Sequence, residues 1–361
     1  MPAVPTTYAE ITPDWLTATL SDRLPGTVIA NADVEPLHLV ANYHGNLARV
    51  VLEYSSRHVD APESLVAKLV PQNERTLHLG VTLGLYQREA ALYDEIGLST
   101  GIKMPVLLGC RVDPDTGITA LLLEDLSHMR TGLQSTGYTA LEAEATVVQF
   151  AQLHAKWWNR SELRELAWLP TWNEPAMVEF AVAAYAQIWP ACAAAFEDTL
   201  PTEAVALGGR LAGILGDMMN YVAASLFTLA HGDARHENLL FDLTDESVPP
   251  YVVDWQFVAR GRGMMDVAYY LTQSGPTEVA AAHESELVAR YHDELCRSGV
   301  QEYSLEDCWQ DYRRFAYYAL VYPVITAGVS DPDNAEQRAG ITIILERAVA
   351  ALLRLDAAEF M

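Results

Sequence analysis

Apolar residues follow two different periods along this chain, and the change between them divides the sequence into two parts. From about residue 33 to residue 123, short apolar runs alternate with polar stretches, which is typical of β-strands. Residues 11–24 are predicted to form a helix before this region, and residues 77–96 a helix within it. After residue 127 the period becomes mainly helical. The pattern therefore predicts an α+β protein in which a small sheet-rich part precedes a larger helical part.

Two short apolar runs interrupt the helical part and carry the most informative polar residues. The runs 238–241 and 251–254 flank a segment rich in Asp, Ser, Thr and Pro, so they are predicted to form a β-hairpin. If they pair antiparallel, Asn238 and Asp254 meet at one end, and Asp233 in the preceding turn joins them. Carboxylate and amide oxygens are the ligands that Mg²⁺ prefers.

Asp and Asn are also common turn residues, so each fragment alone would fit an ordinary turn or a strand-end cap. The order and spacing of the whole set instead match a phosphoryl-transfer site, where one group orients a hydroxyl and two others hold magnesium. Phosphorylation dependent on ATP is therefore the first hypothesis. In it, Asp233 meets the acceptor hydroxyl, and Asn238 and Asp254 are the metal ligands.

A kinase-like site also needs a lysine for the nucleotide phosphates and a carboxylate that positions this lysine. Lys68 interrupts the apolar strand 65–70, where a charge is costly to bury unless it is paired or binds an anion. Glu89 lies within an apolar row of the helix predicted over residues 77–96, so it is expected to have a lysine partner. The alternatives are a lysine at a sheet edge that extends into water and a solvated helix-flank glutamate.

A hinge for the nucleotide base is predicted where the apolar strand 118–123 ends at Glu124 and Leu126. Backbone N–H and C=O groups at such a connector can bind an adenine edge. The alternative is an ordinary strand end, because backbone recognition leaves little trace in a sequence.

Together these motifs resemble the aminoglycoside phosphotransferase and choline kinase superfamily, most closely its ecdysteroid kinase-like (CHK-type) branch of small-molecule kinases. The residues that carry the resemblance are Asn42-Tyr43, Lys68, Gln87–Tyr93, Leu123–Leu126, Leu153–Ala155, His231–Asp233 with Asn238, Asp254–Gln256 and Asp266–Leu271. They follow the family order from residue 42 to residue 271 and so cover both predicted parts.

The resemblance implies a bilobed protein-kinase-like fold, with a β-rich N-lobe over residues 1–123, a hinge over 124–127 and a helical C-lobe over 128–361. It implies that Asp233 orients or deprotonates the acceptor, that Lys68 grips the phosphates of ATP, and that Glu89 holds Lys68. GTP is not excluded as the donor. His231 and Asp266 are implied to brace the catalytic loop.

Two departures from protein kinases change the expectations. Residues 41–47 take the place of the Gly-rich loop, and the resemblance implies nucleotide contacts there from Asn42 and Gly45, although a lone glycine is weak evidence for a phosphate cradle. No glycine follows Asp254 in the motif Asp254-Trp255-Gln256, so an activation-loop switch is not expected.

Composition narrows the partners and the compartment. The 361 residues carry 23 Lys and Arg against 48 Asp and Glu, a net charge of −25, so a nucleic-acid partner is not expected. The four cysteines are far apart and predict reduced, mostly buried thiols without zinc or disulfides. The apolar stretch 178–196 contains Glu179, Gln187 and Pro190, which favours a packed helix over a membrane span. The N-terminal residues do not resemble a signal peptide. A cytoplasmic enzyme that is a monomer or weak homodimer is expected.

Two functional classes stay open. The first is an ATP- and Mg²⁺-dependent O-phosphotransferase that acts on a small molecule with a hydroxyl group, such as a hydrophobic or steroid-like alcohol, an amino alcohol or an aminoglycoside. The second is a nucleotide-binding pseudokinase, against which the intact catalytic set argues. Residues that are candidates for the acceptor pocket, or alternatively for the core, are Trp158, Tyr269, Tyr270, Tyr317 and Tyr318. Asp311 and Asp331 are candidates for a contact with a cationic acceptor.

Overall fold

The computed structural model describes residues 3–37, 46–330 and 334–360. The chain forms two compact units, one made of Met1–Met129 with Tyr251–Phe257 and the other of Arg130–Pro250 with Val258–Met361. The first unit contains most of the strands and the second most of the helices. The predicted α+β class, with sheet before helix, is therefore confirmed.

The first unit is built on an antiparallel sheet with the strand order β1-β2-β3-β5-β4. Its strands are Val28–Pro36 (β1), Asn46–Ser56 (β2), Ser64–Leu69 (β3), Leu107–Val112 (β4) and Thr119–Glu124 (β5). Helix Pro13–Leu20 (α1) packs against β1 and β4, and its buried residues share one hydrophobic core on this face of the sheet with alternate residues of β3, including Leu65 and Ala67. Successive side chains of a strand point to opposite faces, so Lys68 lies on the other face of the sheet.

The helix predicted over residues 77–96 is interrupted, and the prediction of one continuous helix is wrong. The structure has Glu74–Thr82 (α2), Leu85–Ala91 (α3) and a wide π-type turn over Leu92–Ile96. The break lies at Gly84, whose φ of +66° is in the left-handed region that glycine adopts without a steric penalty. Glu89 is nevertheless helical, since it belongs to α3.

The second unit is mainly helical. Its elements are Arg130–Thr131 (β6), Ala140–Lys156 (α4), Pro175–Ala195 (α5), Thr202–Ala223 (α6), Thr228–Ala230 (β7), Leu239–Phe241 (β8), Ala259–Gly261 (β10), Met264–Gln273 (α7), Thr277–Arg297 (α8), Leu305–Phe315 (α9), Tyr318–Val329 (α10) and Ala335–Arg354 (α11). Strands β7 and β10 pair antiparallel, as do β6 and β8. All ten residues of α7 are buried, so this helix runs through the core and can hold side chains of the site in place.

The strands of the predicted hairpin are shorter than expected. Asn238 belongs to a 3₁₀ turn over His236–Asn238, and β8 begins at the next residue. The second strand, Tyr251–Val252 (β9), ends two residues before Asp254 and lies in the first unit. Since β8 and β9 belong to different units, the meeting of Asn238 with Asp254 stays a prediction.

Helix α5 is long and apolar enough, by length and composition alone, to cross a membrane. One side of it packs against α6 and α10 and buries Tyr185, Trp189 and Cys192. The predicted packing in the helical part is therefore confirmed for that side. Only 17% of the most apolar window of the helix is buried, however, so most of that window is exposed or only partly buried.

All four cysteines are free thiols, as predicted. Cys192 and Cys308 are buried, Cys110 is partly buried and Cys296 is exposed, so the expectation of mostly buried thiols holds for only half of them.

Candidate functional site

A buried lysine lies between two carboxylates in the first unit. The Nζ atom of Lys68, on β3, lies 2.8 Å from the Glu89 carboxylate of α3 and 2.8 Å from Oδ1 of Asp254. The side chains of Lys68 and Glu89 are 11% and 3% exposed, so the interaction is shielded from water. The ion pair expected from the apolar surroundings of Lys68 and Glu89 is therefore present.

The two carboxylates keep this lysine charged. Burial alone would lower the pKa of Lys68, but the negative charges of Asp254 and Glu89 outweigh burial and raise it. One ammonium group facing two carboxylates leaves the cluster with a net negative charge when all three groups are ionised. A further cation at Asp254, or a proton on one of the carboxylates, would therefore be favoured.

The segment after β9 holds Asp254 in an unusual backbone conformation. Its φ is +63°, in the left-handed region that few residues other than glycine adopt. The following N–H, of Trp255, donates a hydrogen bond to Glu89 Oε1 at 3.1 Å, and Arg88 donates to the carbonyl of Gln256 at 3.3 Å. Helix α3 thus binds both the lysine and the backbone that carries Asp254, which offsets the strain at this residue.

The predicted hinge begins where β5 ends. The Glu124 N–H donates to the Val106 carbonyl at 2.9 Å, and the carboxylate of Asp125 is bound by Arg49 and Ser64 at 2.7 and 2.6 Å. The N–H of Leu126 makes no hydrogen bond to any residue in the described ranges, so it is available as a donor. The use of this segment as a nucleotide hinge stays a prediction.

Asn42 and Gly45, predicted to contact the nucleotide, and Asp331, a candidate for contact with the acceptor, lie outside the described residues.

In the second unit, Asp233 follows β7 in a turn that begins at His231. Its Oδ2 atom accepts a hydrogen bond from Nδ2 of Asn238 at 3.0 Å and lies 3.3 Å from Nε of Arg235. Nδ2 of Asn238 also donates to the Asp233 carbonyl at 2.8 Å, which fixes the amide so that its oxygen points away from Asp233. Within the described part of the chain, Oδ1 of Asp233 accepts no hydrogen bond, which leaves it open to an acceptor hydroxyl.

Asp266 holds this turn from α7. Its two carboxylate oxygens accept hydrogen bonds from the N–H groups of His231 and Gly232 at 2.7 and 2.8 Å. Gly232 has a φ of +85°, which a residue with a side chain would adopt only with strain. Asp266 is completely buried, so the two bonds are not exposed to competing water. The geometry fits the bracing role implied for Asp266.

His154, on α4, is a supporting residue whose part in the site the sequence did not reveal. His154 is completely buried, and each of its ring nitrogens lies within hydrogen-bonding distance of a partner. One nitrogen lies 2.8 Å from the Tyr291 hydroxyl, and the other lies 3.2 Å from the Asp266 carboxylate that holds the turn at His231 and Gly232. The signal available in the sequence was the motif Leu153–Ala155.

Arg235 was also missed, although it lies within the most informative motif. Besides its contact with Asp233, its NH1 group donates to Glu237 at 2.9 Å and to the hydroxyl of Tyr322 on α10 at 2.7 Å. Burial opposes the charge of Arg235, but Tyr322, Asp233 and Glu237 together raise its pKa well above the usual value. Its sequence signal was a cation two residues after Asp233, the predicted catalytic residue, but the partner on α10 is too distant in sequence to be foreseen.

No group of three or more His, Cys, Asp or Glu side chains in the described ranges is arranged to hold a metal ion. Mg²⁺ is commonly bound by only one or two carboxylates together with waters and substrate phosphates, so a magnesium site of that kind does not need such a group.

Three solved structures have the same fold. A protein from Ralstonia eutropha JMP134, provisionally assigned as an aminoglycoside phosphotransferase, is 14% identical, with a TM-score of 0.56 over 95% of this chain and 97% of that chain. The GDP and kanamycin complex of APH(2")-IIia is 12% identical, with a TM-score of 0.54 over 92% and 98% of the two chains. The GDP complex of an aminoglycoside 2'-phosphotransferase-IIIa mutant is 13% identical, with a TM-score of 0.52 over 96% and 98%. At these identities the likeness shows the fold alone, and the predicted kinase-like fold class is confirmed.

The sequence matches no curated protein. The profile of the ecdysteroid kinase-like family matches residues 40–300, which include every predicted catalytic and metal-binding residue. The resemblance seen in the motifs is thereby confirmed at the level of the branch as well as the superfamily. The chain belongs to the ecdysteroid kinase-like family.

Proposed function

We propose that this protein is an ATP- and Mg²⁺-dependent phosphotransferase that moves a phosphoryl group to a hydroxyl of a small molecule. The observation that carries the proposal is the buried Lys68, held 2.8 Å from both Glu89 and Asp254. Burying a lysine with two carboxylates has a substantial desolvation cost. A kinase accepts this cost because the buried ion pair positions a cation for the phosphates of the nucleotide.

Lys68 acts in this proposal as the group that binds the nucleotide phosphates, and Glu89 keeps its ammonium in place. The nucleotide base is bound by backbone groups of the segment that begins at Glu124, where the open N–H of Leu126 is one donor. Backbone donors of this kind also suit GTP, so thermal unfolding with each nucleotide is needed to distinguish ATP from GTP as the donor.

Asp233 acts on the acceptor. Its Oδ1 accepts the hydrogen bond of the acceptor hydroxyl, while Asn238 and Arg235 hold Oδ2. As the acceptor oxygen bonds to the terminal phosphorus, the bond from phosphorus to the bridging oxygen breaks and a nucleoside diphosphate leaves. The hydroxyl proton passes to Asp233. Because Asp266 fixes the preceding N–H groups, this carboxylate needs little reorganisation during transfer.

Asn238 and Asp254 fit the requirements for binding Mg²⁺. The amide nitrogen of Asn238 is engaged with Asp233, so its oxygen is left as a ligand, and Asp254 supplies a carboxylate. Bound there with the nucleotide phosphates, the ion would neutralise charge on the transferring group.

A screen of hydroxyl-bearing metabolites with ATP and Mg²⁺, read by mass for one added phosphoryl group, tests this function. It should include steroid-like alcohols, amino alcohols and aminoglycosides, together with thermal unfolding in the presence of each nucleotide. Nucleotide-dependent stabilisation with transfer to an acceptor supports the proposal. Stabilisation without transfer to any acceptor supports the alternative, a pseudokinase.

A further inference from the structure

The predicted hinge contains a buried carboxylate to which the sequence assigned no role. Asp125 lies between the two residues predicted to bind the nucleotide base, and its side chain is only 8% exposed. Burial alone would raise the pKa of Asp125, but hydrogen bonds from Ser64, Ser127 and Arg49 outweigh burial and lower the pKa to about 2. The carboxylate is therefore ionised at neutral pH, and the positions of its donors show which parts of the chain it holds together.

Two of these donors come from neighbouring strands of the sheet. Nε of Arg49, on β2, donates to Asp125 Oδ2 at 2.7 Å, and the hydroxyl of Ser64, on β3, donates to the same oxygen at 2.6 Å. Arg49 also donates to the Ser64 hydroxyl at 3.2 Å, so the three side chains form a closed cluster. We call Asp125, Arg49 and Ser64 the hinge anchor. It ties the segment after β5 to two other strands.

The second carboxylate oxygen of Asp125 fixes the backbone around Leu126. Oδ1 accepts a hydrogen bond from the N–H of Ser127 at 2.9 Å, which closes an Asx turn over Leu126. The Leu126 carbonyl accepts a hydrogen bond from the N–H of Met129 at 2.9 Å, and the Leu126 side chain is buried. The N–H of Leu126, by contrast, makes no hydrogen bond to the described residues. The orientation of this open donor is therefore set by the turn that Asp125 closes.

The hinge anchor lies on the same face of the sheet as Lys68. Alternate residues of a strand share a face, so Ser64, Val66 and Lys68 of β3 point to one side, and Arg49, which is paired with Val66, points there too. Lys68 follows Ser64 by four residues, about 13 Å along the strand. A nucleotide with its phosphates at Lys68 would extend along this face, which brings its base towards the segment after β5.

The fold itself gives little reason to bury this ion pair. An ion pair taken out of water is seldom more stabilising than apolar side chains of the same size, because the desolvation of both charges offsets their attraction. The hydrophobic core of the sheet with α1 lies on the opposite face and does not include the anchor. The desolvation cost of Asp125 is better explained by the orientation that it gives to the Leu126 peptide.

We propose that Asp125 is a positioning residue of the nucleotide site, which through the hinge anchor orients the Leu126 N–H as a hydrogen-bond donor to the nucleotide base. This inference rests on the proposed function for the presence of a nucleotide. Asp125 itself does not touch the nucleotide. Its loss should therefore weaken the contact with the base and leave the contacts with the phosphates in place.

Two probes separate the base from the phosphates. One is the non-hydrolysable imido analogue of ATP, and the other is inorganic tripolyphosphate, which is the phosphate chain without adenosine. Binding of each is measured with Mg²⁺ by isothermal titration calorimetry on the full-length chain, and the imido analogue of GTP replaces that of ATP if the wild type binds it more tightly. In Asp125→Ala the affinity for the nucleotide should fall about tenfold, the effect of one lost hydrogen bond, while the affinity for tripolyphosphate should change by less than about twofold.

Asp113→Ala is the matched control. Oδ1 of Asp113 also closes an Asx turn of this unit, with the N–H of Asp115 at 2.9 Å, but that turn joins β4 to β5 at the end of the strand opposite to the hinge. Its loss should leave both affinities unchanged. If Asp125→Ala does not fold, Ser64→Ala removes one donor of the hinge anchor and should lower the affinity for the nucleotide about threefold without an effect on tripolyphosphate.

An equal loss of affinity for both probes in Asp125→Ala, or no loss for either, would overturn the proposal. A wild type that binds the nucleotide no better than tripolyphosphate would overturn it as well. The binding readout needs no phosphoryl transfer. A selective loss of nucleotide binding in a protein that transfers no phosphoryl group to any acceptor therefore refutes only the proposed function, and transfer by the wild type with unchanged nucleotide binding in Asp125→Ala refutes only this inference.

Discussion

Asp266→Asn is the substitution whose effect on the catalytic turn follows most directly from the geometry. The asparagine has nearly the same shape, but one of its two carboxylate oxygens becomes an NH₂ group that cannot accept a hydrogen bond. Both oxygens of Asp266 now accept a backbone N–H, from His231 at 2.7 Å and Gly232 at 2.8 Å. The variant must therefore leave one buried N–H facing another donor.

The cost can be bounded from these contacts. A hydrogen bond to a charged acceptor contributes about 1.5–3 kcal/mol, and a buried donor without a partner costs a similar amount. Since Asp266 is completely buried and His154 also loses part of its contact, the free energy of unfolding of the second unit should fall by about 2–4 kcal/mol. A shift of the turn by about 1 Å would also slow transfer roughly a hundredfold.

Thermal unfolding and the rate of phosphoryl transfer, measured on the same samples, test both effects. Asp311→Asn is the matched control. Asp311 was a candidate for contact with a cationic acceptor, but it is a buried carboxylate of the same unit whose two oxygens already accept bonds from Tyr221, Arg262 and Tyr303. Both variants should lose stability, but only Asp266→Asn should lose transfer beyond the loss of folded protein. Equal rates for the two variants at equal folded fraction would refute the bracing role of Asp266.

Three further predictions concern the two units. Lys68→Met should weaken binding of the Mg²⁺–nucleotide complex, measured by calorimetry, and should lower the free energy of unfolding. Because the pKa of Lys68 is raised above its ordinary value of 10.5, the difference in unfolding free energy between the variant and the wild type should be constant from about pH 6 to 9. It should shrink only above pH 10.5. Asp254→Ala should abolish the magnesium dependence of nucleotide binding, so an unchanged magnesium titration would contradict its role as a ligand. Gly263→Ala would place a Cβ 2.5 Å from the ring of His154 and should lower the melting temperature, whereas Gly213→Ala, in a helix with open space around it, should leave that temperature unchanged or raise it.

The parts of this protein that the sequence predicts are those encoded locally. A lysine within an apolar strand and a glutamate within an apolar helix row each need a partner of opposite charge. The ion pair between Lys68 and Glu89 could therefore be predicted from the sequence alone. The fold class followed in the same way from the change of hydrophobic period.

The errors have local causes as well. Gly84 fits a helical pattern by spacing, yet it adopts a left-handed conformation that ends one helix and starts the next. Asn238 and Asp254 were assigned to strands because they adjoin apolar runs. Asn238 instead lies in a 3₁₀ turn, where its side chain is held by hydrogen bonds that propensity does not encode, and Asp254 lies in the irregular segment after β9.

What the sequence could not supply are contacts between residues far apart along the chain. Arg235 and Tyr322 are 87 residues apart, and His154 and Asp266 are 112 residues apart. Each pair depends on how the helices of the second unit pack, and a single sequence gives no direct signal of such packing. For the same reason Tyr269 and Tyr318 were predicted only as candidates for the acceptor pocket, and Tyr322, which lies 6.0 Å from Tyr269, was not predicted.

The central claim is that Asp233 accepts the proton of a hydroxyl during phosphoryl transfer. The most direct measurement compares the wild type with Asp233→Ala, first for nucleotide binding with Mg²⁺ and then for transfer to an acceptor that the wild type phosphorylates. The account predicts nucleotide affinity within about threefold of the wild type and a transfer rate lower by at least about a thousandfold. Transfer at the wild-type rate by the Asp233→Ala variant would contradict it.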